Sequence, residues 1–141
     1  MPATNRQTWL LDGNVLIAAN ILAHPHNARA NAWLAAHPDD LLATCSVTEG
    51  TLLRFIMRTE PSMAARAAKA WDTLNKFCAR PDHVFLEGDF SYRKVNHASL
   101  TGHKEVTDAW LAQLARRQGV RVVTFDSGFV VRDPDVAYLI P

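Results

Sequence analysis

The chain has 141 residues, of which 48% are hydrophobic and 21% are charged, and this predicts one soluble globular domain over residues 1–141. The formal net charge is only +1, so a nucleic acid would have to be held by local basic patches. No apolar run approaches the roughly 20 residues of a membrane span, and Asp12 and Asn20 interrupt the one candidate signal sequence. Cys45 and Cys78 stand in no metal-like or redox-like spacing, and the expected compartment is the cytoplasm.

Hydrophobic patterning and turn residues predict an alternation of strands and helices. In chain order these are a strand at 7–11, helices at 14–23 and 27–37, a strand at 41–45, helices at 46–58 (from Ser46 or Thr48) and 63–79, a strand at 83–86, a helix at 106–118, and strands at 120–125 and 136–140. Asn27 and Ser62 are candidate N-caps, and Gly119 is typical of the position just beyond a helix end. The polar segment 87–102 predicts a loop with a helical turn near 91–97. Such alternation predicts an α/β domain with a mostly parallel central sheet of about five strands and helices on both faces.

Four carboxylates fall where a parallel sheet collects ligands. Asp12 ends the first strand and Asp126 ends the fourth, while Glu49 and Asp108 lie in the first turns of helices. The carboxyl ends of parallel strands and the N-termini of the following helices share one edge, so the four side chains are expected to converge on one crevice. Taken singly, such acids are also typical of helix caps and turns, and the hypothesis depends on the set.

A set of carboxylates at one place favours a particular chemistry. Close carboxylates raise each other's pKa unless a cation neutralises them. Oxygen ligands without Cys or His favour Mg²⁺ or Mn²⁺ over zinc. Such a centre supports phosphodiester cleavage, because a bound metal ion activates water and neutralises charge on the phosphate.

The same residues carry a family resemblance that extends over nearly the whole chain. Residues 10–17 (LLDGNVLI), 48–49 (TE), 106–109 (VTDA) and 124–129 (TFDSGF) resemble the PIN-domain ribonucleases, and among these the VapC toxins of bacterial type II toxin–antitoxin systems. The resemblance implies a three-layer α/β/α sandwich, usually a homodimer, that cleaves RNA with Mg²⁺ or Mn²⁺. It also implies tRNA or ribosomal RNA as substrate, and a VapB-type antitoxin whose C-terminal segment occludes the site.

Carried over residue by residue, the resemblance implies a site. The catalytic quartet would be Asp12, Glu49, Asp108 and Asp126, and its metal ligands would be Asp12, Asp108 and Asp126. Asn14 and Thr107 would be polar neighbours of these ligands. The sequence departs from the family at Gly13, where relatives often carry Thr, Ser or Val, and at Ser127, where some carry a further acid. Gly13 offers no hydroxyl to the site but gives the turn conformational freedom.

RNA binding requires cationic contacts with phosphates. The polar segment that precedes Asp108 supplies candidates for these contacts, although a solvated loop is the more common explanation for any one of them: Arg93, Lys94, His103 and Lys104.

Two other functions stay open. A phosphatase of the haloacid dehalogenase type also places an Asp after its first strand, but that family has a second acid two residues on, where this chain has Asn14. A non-catalytic PIN-fold module that binds RNA or protein would keep the fold without the cleavage. The intact quartet argues against such a module.

Overall fold

The computed structural model describes residues 6–141, and its centre is a five-stranded sheet in which all neighbouring strands are parallel. The strands are β1 (Thr8–Leu11), β2 (Leu41–Thr44), β3 (His83–Phe85), β4 (Arg121–Thr124) and β5 (Ala137–Leu139). They lie in the order β3-β2-β1-β4-β5, so the first strand of the chain is the central one. Leu10 of β1 is in register with Ala43 on one side and Val122 on the other.

Within the described residues, six α-helices connect or follow the strands. They are α1 (Gly13–Asn20), α2 (Asn27–Ala35), α3 (Ser46–Thr59), α4 (Arg66–Cys78), α5 (Glu105–Gln118) and α6 (Ser127–Arg132). Single 3₁₀ turns cover Met63–Ala65 and Tyr92–Lys94. None of the helices within residues 6–141 combines the length and apolar character that crossing a bilayer requires.

Each face of the sheet buries its own set of side chains, because successive residues of a strand point to opposite faces. Leu11, Leu42 and Val123 pack against buried residues of α1, α2, α3 and α4, and we call this side the α1–α4 face. Leu10 and Val122 pack against α5 and against Phe129 of α6, and we call this side the α5 face. Helices thus cover both faces, which confirms the predicted three-layer α/β/α sandwich.

The structure differs from the predicted elements in three local respects. No helix is predicted between the strands at 120–125 and 136–140, yet Ser127–Arg132 forms α6, with Asp126 as the N-cap. The helix predicted from residue 63 begins with a 3₁₀ turn, and Ser62 makes no side-chain capping bond. Asn27 is the first residue of α2 and not its cap, because its amide donates to the carbonyl of Ala18 at 2.8 Å.

Candidate active site

Asp12 directly follows β1 and is the N-cap of α1, where its residue is only 8% exposed. Its Oδ1 accepts a hydrogen bond from the backbone N–H of Gly13 at 2.7 Å, and its Oδ2 accepts one from the hydroxyl of Thr124 at 2.7 Å. Burial raises the pKa of Asp12, and the two hydrogen bonds oppose part of that rise. The carboxylate is therefore held in one orientation, and its proton affinity is above that of a free side chain.

Thr124, the last residue of β4, connects Asp12 to Asp126. Its hydroxyl oxygen donates to Asp12 and accepts a hydrogen bond from the backbone N–H of Asp126 at 3.0 Å. Asp126 in turn caps α6, because its Oδ1 accepts a hydrogen bond from the backbone N–H of Gly128 at 2.9 Å. One hydroxyl thus orders two of the predicted metal ligands.

Asp108 reaches the same place from the first turn of α5. Its Oδ2 accepts a hydrogen bond from Arg132 Nη2 at 2.8 Å, and Arg132 Nη1 donates to Glu105 Oε1 at 3.3 Å. Burial, followed by the charges of Asp12 and Asp126, raises the pKa of Asp108 to about 7, although the Arg132 guanidinium opposes the rise. Asp12, Asp108 and Asp126 therefore lie within electrostatic range of one another, and we call them the aspartate group.

The chemistry of the aspartate group fits a hard divalent cation. Its members stand at the N-terminal ends of three different helices, where the helix dipole favours negative charge. Burial, and to a smaller extent their mutual repulsion, raises the pKa of Asp12 and of Asp108, and a bound cation would offset this repulsion. Because all three donors are carboxylate oxygens, Mg²⁺ and Mn²⁺ are the ions that they suit.

Glu49 lies at the same edge of the sheet but on its other face. Its Oε2 accepts a hydrogen bond from the hydroxyl of Thr44 at 2.6 Å, and Cys78 Sγ lies 4.0 Å from the same oxygen. Thr44 follows Leu42 by two residues and so shares the α1–α4 face, whereas Asp12 follows Leu10 by two residues and shares the α5 face. The structure thus brings together three of the four predicted catalytic acids and does not bring Glu49 to them.

The other predicted site residues differ in how near they come to the aspartate group. Asn14 Oδ1 accepts a long hydrogen bond, 3.4 Å, from the backbone N–H of Phe125 and so links α1 to the end of β4. Thr107 is exposed, and within residues 6–141 its hydroxyl makes no hydrogen bond to the aspartate group. The proposed RNA contacts are all exposed and lie on the segment that leads into α5: Arg93, Lys94, His103 and Lys104.

Two residues of this site were absent from the sequence prediction. Thr124 was assigned to a strand and to the TFDSGF motif of the resemblance without a role of its own, although its position two residues before Asp126 and its hydroxyl at a strand end were a usable signal. Arg132 lies in α6, a helix that was not predicted, and nothing in the local pattern linked it to Asp108. Together they supply a hydroxyl and a cation that position the carboxylates.

Position 13 needs glycine because it has no room for a Cβ atom, and not because of its backbone conformation. A Cβ atom at this position would stand 2.6 Å from Thr51 Cγ2 of α3, well inside van der Waals contact. Among residues 6–141 a positive φ is found at Gly119 and not at Gly13. The predicted role of conformational freedom is therefore wrong, and Gly13 instead permits the close approach of α1 and α3.

Comparison with known proteins places these features in a family context. A family model described as "PIN domain" matches residues 9–133. Ribonuclease VapC29 of Mycobacterium tuberculosis is 42% identical over 134 residues, which covers 95% of this chain and 97% of the relative. Ribonuclease VapC38 of the same organism is 39% identical over 122 residues, with 84% and 85% covered.

A solved structure shares the fold at much lower identity. A chain from the crystal structure of VapBC2 from Rickettsia felis bound to a DNA fragment from their promoter matches with a TM-score of 0.64. The sequences are 14% identical, and the match covers 96% of this chain and 100% of the other. At that identity the likeness concerns the fold alone.

Proposed function

The chain belongs to the PIN-domain family, among its VapC ribonucleases, and from that premise we propose that it is a metal-dependent endoribonuclease, the toxin component of a type II toxin–antitoxin system. The observation that carries the proposal is the convergence of Asp12, Asp108 and Asp126 from three helix N-termini at one edge of the sheet. The names of the relatives, which are ribonucleases, support the proposal, because a site of this kind suits phosphodiester cleavage.

The aspartate group would hold the metal ion, with Mg²⁺ or Mn²⁺ as the proposed cofactor. When bound there, such an ion lowers the pKa of a water molecule and neutralises charge that develops on the phosphate. Thr124 and the backbone N–H of Gly13 hold the Asp12 carboxylate in place, so its orientation is set before any substrate arrives. Preorganised groups of this kind avoid reorganisation during the reaction.

Asp108 has a second role in this proposal. Arg132 occupies Oδ2 of this carboxylate, which leaves Oδ1 as the oxygen available to a proton or a cation. With a pKa of about 7 in the absence of a metal ion, Asp108 can accept or release a proton near neutral pH. Because Glu49 lies on the other face, the proposed catalytic set is the aspartate group alone.

Several partners follow from the proposal. The substrate would be tRNA or ribosomal RNA, with phosphate contacts from the exposed residues Arg93, Lys94, His103 and Lys104. Asn14 and Thr107 would be polar neighbours of the ligands.

The whole chain, residues 1–141, would form a single PIN domain that dimerises with a second copy and is inhibited by a VapB-type antitoxin. The two free cysteines, Cys45 and Cys78, suit the reducing cytoplasm in which such a toxin acts.

Cleavage of RNA by the purified chain tests the proposal. We expect cellular RNA to be cut at defined positions with Mg²⁺ or Mn²⁺, and EDTA to stop the reaction. Asp12→Asn should abolish cleavage without unfolding the protein, whereas Asp72→Asn, at an exposed ion pair with Lys76, should cut like the wild type. Undiminished cleavage by Asp12→Asn, or cleavage in EDTA, contradicts the proposal. Tight RNA binding by the wild type without any cleavage would instead favour a non-catalytic binding module.

A further inference from the structure

A second group of potential metal ligands lies outside the aspartate group. Glu49, Cys78 and His83 each offer one ligand atom, and these atoms all lie within 4.8 Å of one another. They come from three elements, since Glu49 is in the first turn of α3, Cys78 ends α4 and His83 begins β3. We call this set the Glu49–Cys78–His83 cluster.

The cluster is separate from the aspartate group. His83 is in register with Leu42, so its side chain points to the α1–α4 face, and its ring meets that of Phe77 edge-on at 5.9 Å. The members of the aspartate group gather on the α5 face, where Asp12 and Thr124 follow Leu10 and Val122 by two residues. The sheet lies between the two groups.

The donors of the cluster call for a softer ion than the aspartate group does. A thiolate, an imidazole and a carboxylate are the three ligand types that Zn²⁺ accepts, whereas Mg²⁺ and Mn²⁺ favour oxygen. Tetrahedral donors at zinc bond lengths stand about 3.3–3.6 Å apart. Cys78 Sγ and Glu49 Oε2 are 4.0 Å apart and every pair lies within 4.8 Å, so closure needs side-chain movements of roughly 1 Å.

The charges in the cluster also lack a cation. The Glu49 carboxylate is half-buried and forms no salt bridge with any residue in the range 6–141. A thiolate at Cys78 would place a second negative charge beside this carboxylate, since Cys78 Sγ and Glu49 Oε2 are 4.0 Å apart. A divalent ion would neutralise both anionic ligands.

We propose that Glu49, Cys78 and His83 form a second metal site, for Zn²⁺ or an ion of similar softness, that ties α3, α4 and β3 together. Thr44 stands beside it, with its hydroxyl oxygen 2.6 Å from Glu49 Oε2 and 2.8 Å from His83 Nε2. These distances make Thr44 a hydrogen-bonding neighbour of the ligands, and a water molecule would complete a four-coordinate shell. This site is structural and independent of RNA cleavage.

Cobalt substitution tests the second site directly. The full-length chain, reduced and stripped of metal, is titrated with Co²⁺ alone, which reports a bound thiolate by a charge-transfer band and tetrahedral geometry by its visible bands. We expect both signals to saturate at one equivalent and to disappear when Zn²⁺ is added. Absence of the charge-transfer band in the folded wild type overturns the proposal.

Four variants test the assignment of the ligands, two at proposed ligands and two as controls. Cys78→Ser should lose the charge-transfer band, while Cys45→Ser, at the other thiol, should keep it. His83→Gln should weaken the apparent Co²⁺ affinity by at least about tenfold. Asp12→Asn should leave the spectrum unchanged, because the aspartate group lies on the other face. If Cys78→Ser keeps the band, or Cys45→Ser loses it while still folded by circular dichroism, the assignment is wrong.

Discussion

The aspartate group and the Glu49–Cys78–His83 cluster lie on opposite faces of one sheet, the first at the carboxyl ends of β1 and β4 and the second beside β2 and β3. The first contains only carboxylates, and burial together with the charges of Asp12 and Asp126 raises the pKa of Asp108 to about 7. The second mixes a carboxylate, a thiol and an imidazole around the hydroxyl of Thr44. One sheet therefore presents two different ligand chemistries, and its two faces keep them apart.

The difference shows that an edge does not by itself define a site. Strand alternation decides which face a side chain at a strand end joins, and the helix that covers this face supplies its partners. Asp12 and Thr124 turn to the face of α5, which brings Asp108. Thr44 turns to the face of α3 and α4, which bring Glu49 and Cys78. Alternate positions along a strand thus point to opposite faces, and this decides which group of ligands a residue joins.

The largest predicted effect is on RNA cleavage, where matched substitutions of one acid from each region should differ sharply. Asp108→Asn should lower the rate by about 10³-fold, equivalent to about 4 kcal/mol of transition-state stabilisation. Glu49→Gln should stay within about threefold of the wild type, because the amide oxygen can still accept the Thr44 hydrogen bond and the aspartate group is untouched. Single-turnover cleavage rates of the two folded variants make the comparison.

An equal loss of cleavage rate in Asp108→Asn and Glu49→Gln would contradict the separation of the aspartate group from Glu49. Glu49 would then have to reach the substrate from the other face, and the four-acid site expected from sequence would be the better description. A loss confined to Asp108→Asn would restrict the catalytic set to the aspartate group.

Much of this arrangement could be predicted from the sequence. Short apolar runs bounded by turns marked all five strands, and their alternation with helices implied a parallel sheet with one ligand-collecting edge. Asp12 and Asp126 lie at strand ends as expected. These features follow from local composition and from the handedness of the connections, which are both readable along the chain.

The face that each acid joins was the part that sequence reasoning missed. Glu49 begins a stripe with Leu52 and Ile56, and such a stripe predicts a core-facing position without saying which core it faces. Arg132 is held beside Asp108 by α6, whose six residues are too few for a clear helical period. The close approach at Gly13 depends on the packing of α1 on α3, which no local pattern encodes.

The second prediction concerns the contact that joins the two regions, where Gly13 beside Asp12 packs on α3, the helix of Glu49. Gly13→Ala should lower the free energy of unfolding by about 1–3 kcal/mol, because the new Cβ would stand 2.6 Å from Thr51 Cγ2. A gain in helix propensity of up to about 1 kcal/mol opposes this cost but is smaller. Urea denaturation measures the change.

Two further variants give this test its control. Gly102→Ala should change stability by less than about 0.5 kcal/mol, since no atom lies within 4 Å of the added Cβ. Thr51→Ala should recover part of the loss in the Gly13→Ala background, as expected for two residues in direct contact. If Gly13→Ala is as stable as the wild type, α1 and α3 are packed less closely than described.

The smallest predicted effect is a pH dependence that belongs to the aspartate group alone. The pKa of Asp108 is about 7 in the folded protein and 3.8 in the reference state, so the folded protein binds the proton more tightly. Its contribution to stability is complete below about pH 4 and is lost as pH rises through about 7. In EDTA, the free energy of unfolding of the wild type should therefore fall between pH 5 and 8, relative to Asp108→Asn, by about 1–2 kcal/mol.

The lowered pKa of His83 makes stability rise with pH over part of the same range. Because wild type and Asp108→Asn share this contribution, it cancels when the free energy of unfolding of one is subtracted from that of the other. Arg132→Gln should move the midpoint of the difference to higher pH, because the guanidinium opposes the rise in the pKa of Asp108. Saturating Mg²⁺ should move it to lower pH, since a cation at the aspartate group competes with the proton. A difference curve that is flat from pH 5 to 8, or one that Mg²⁺ leaves in place, would mean that the three carboxylates do not repel one another as a single group.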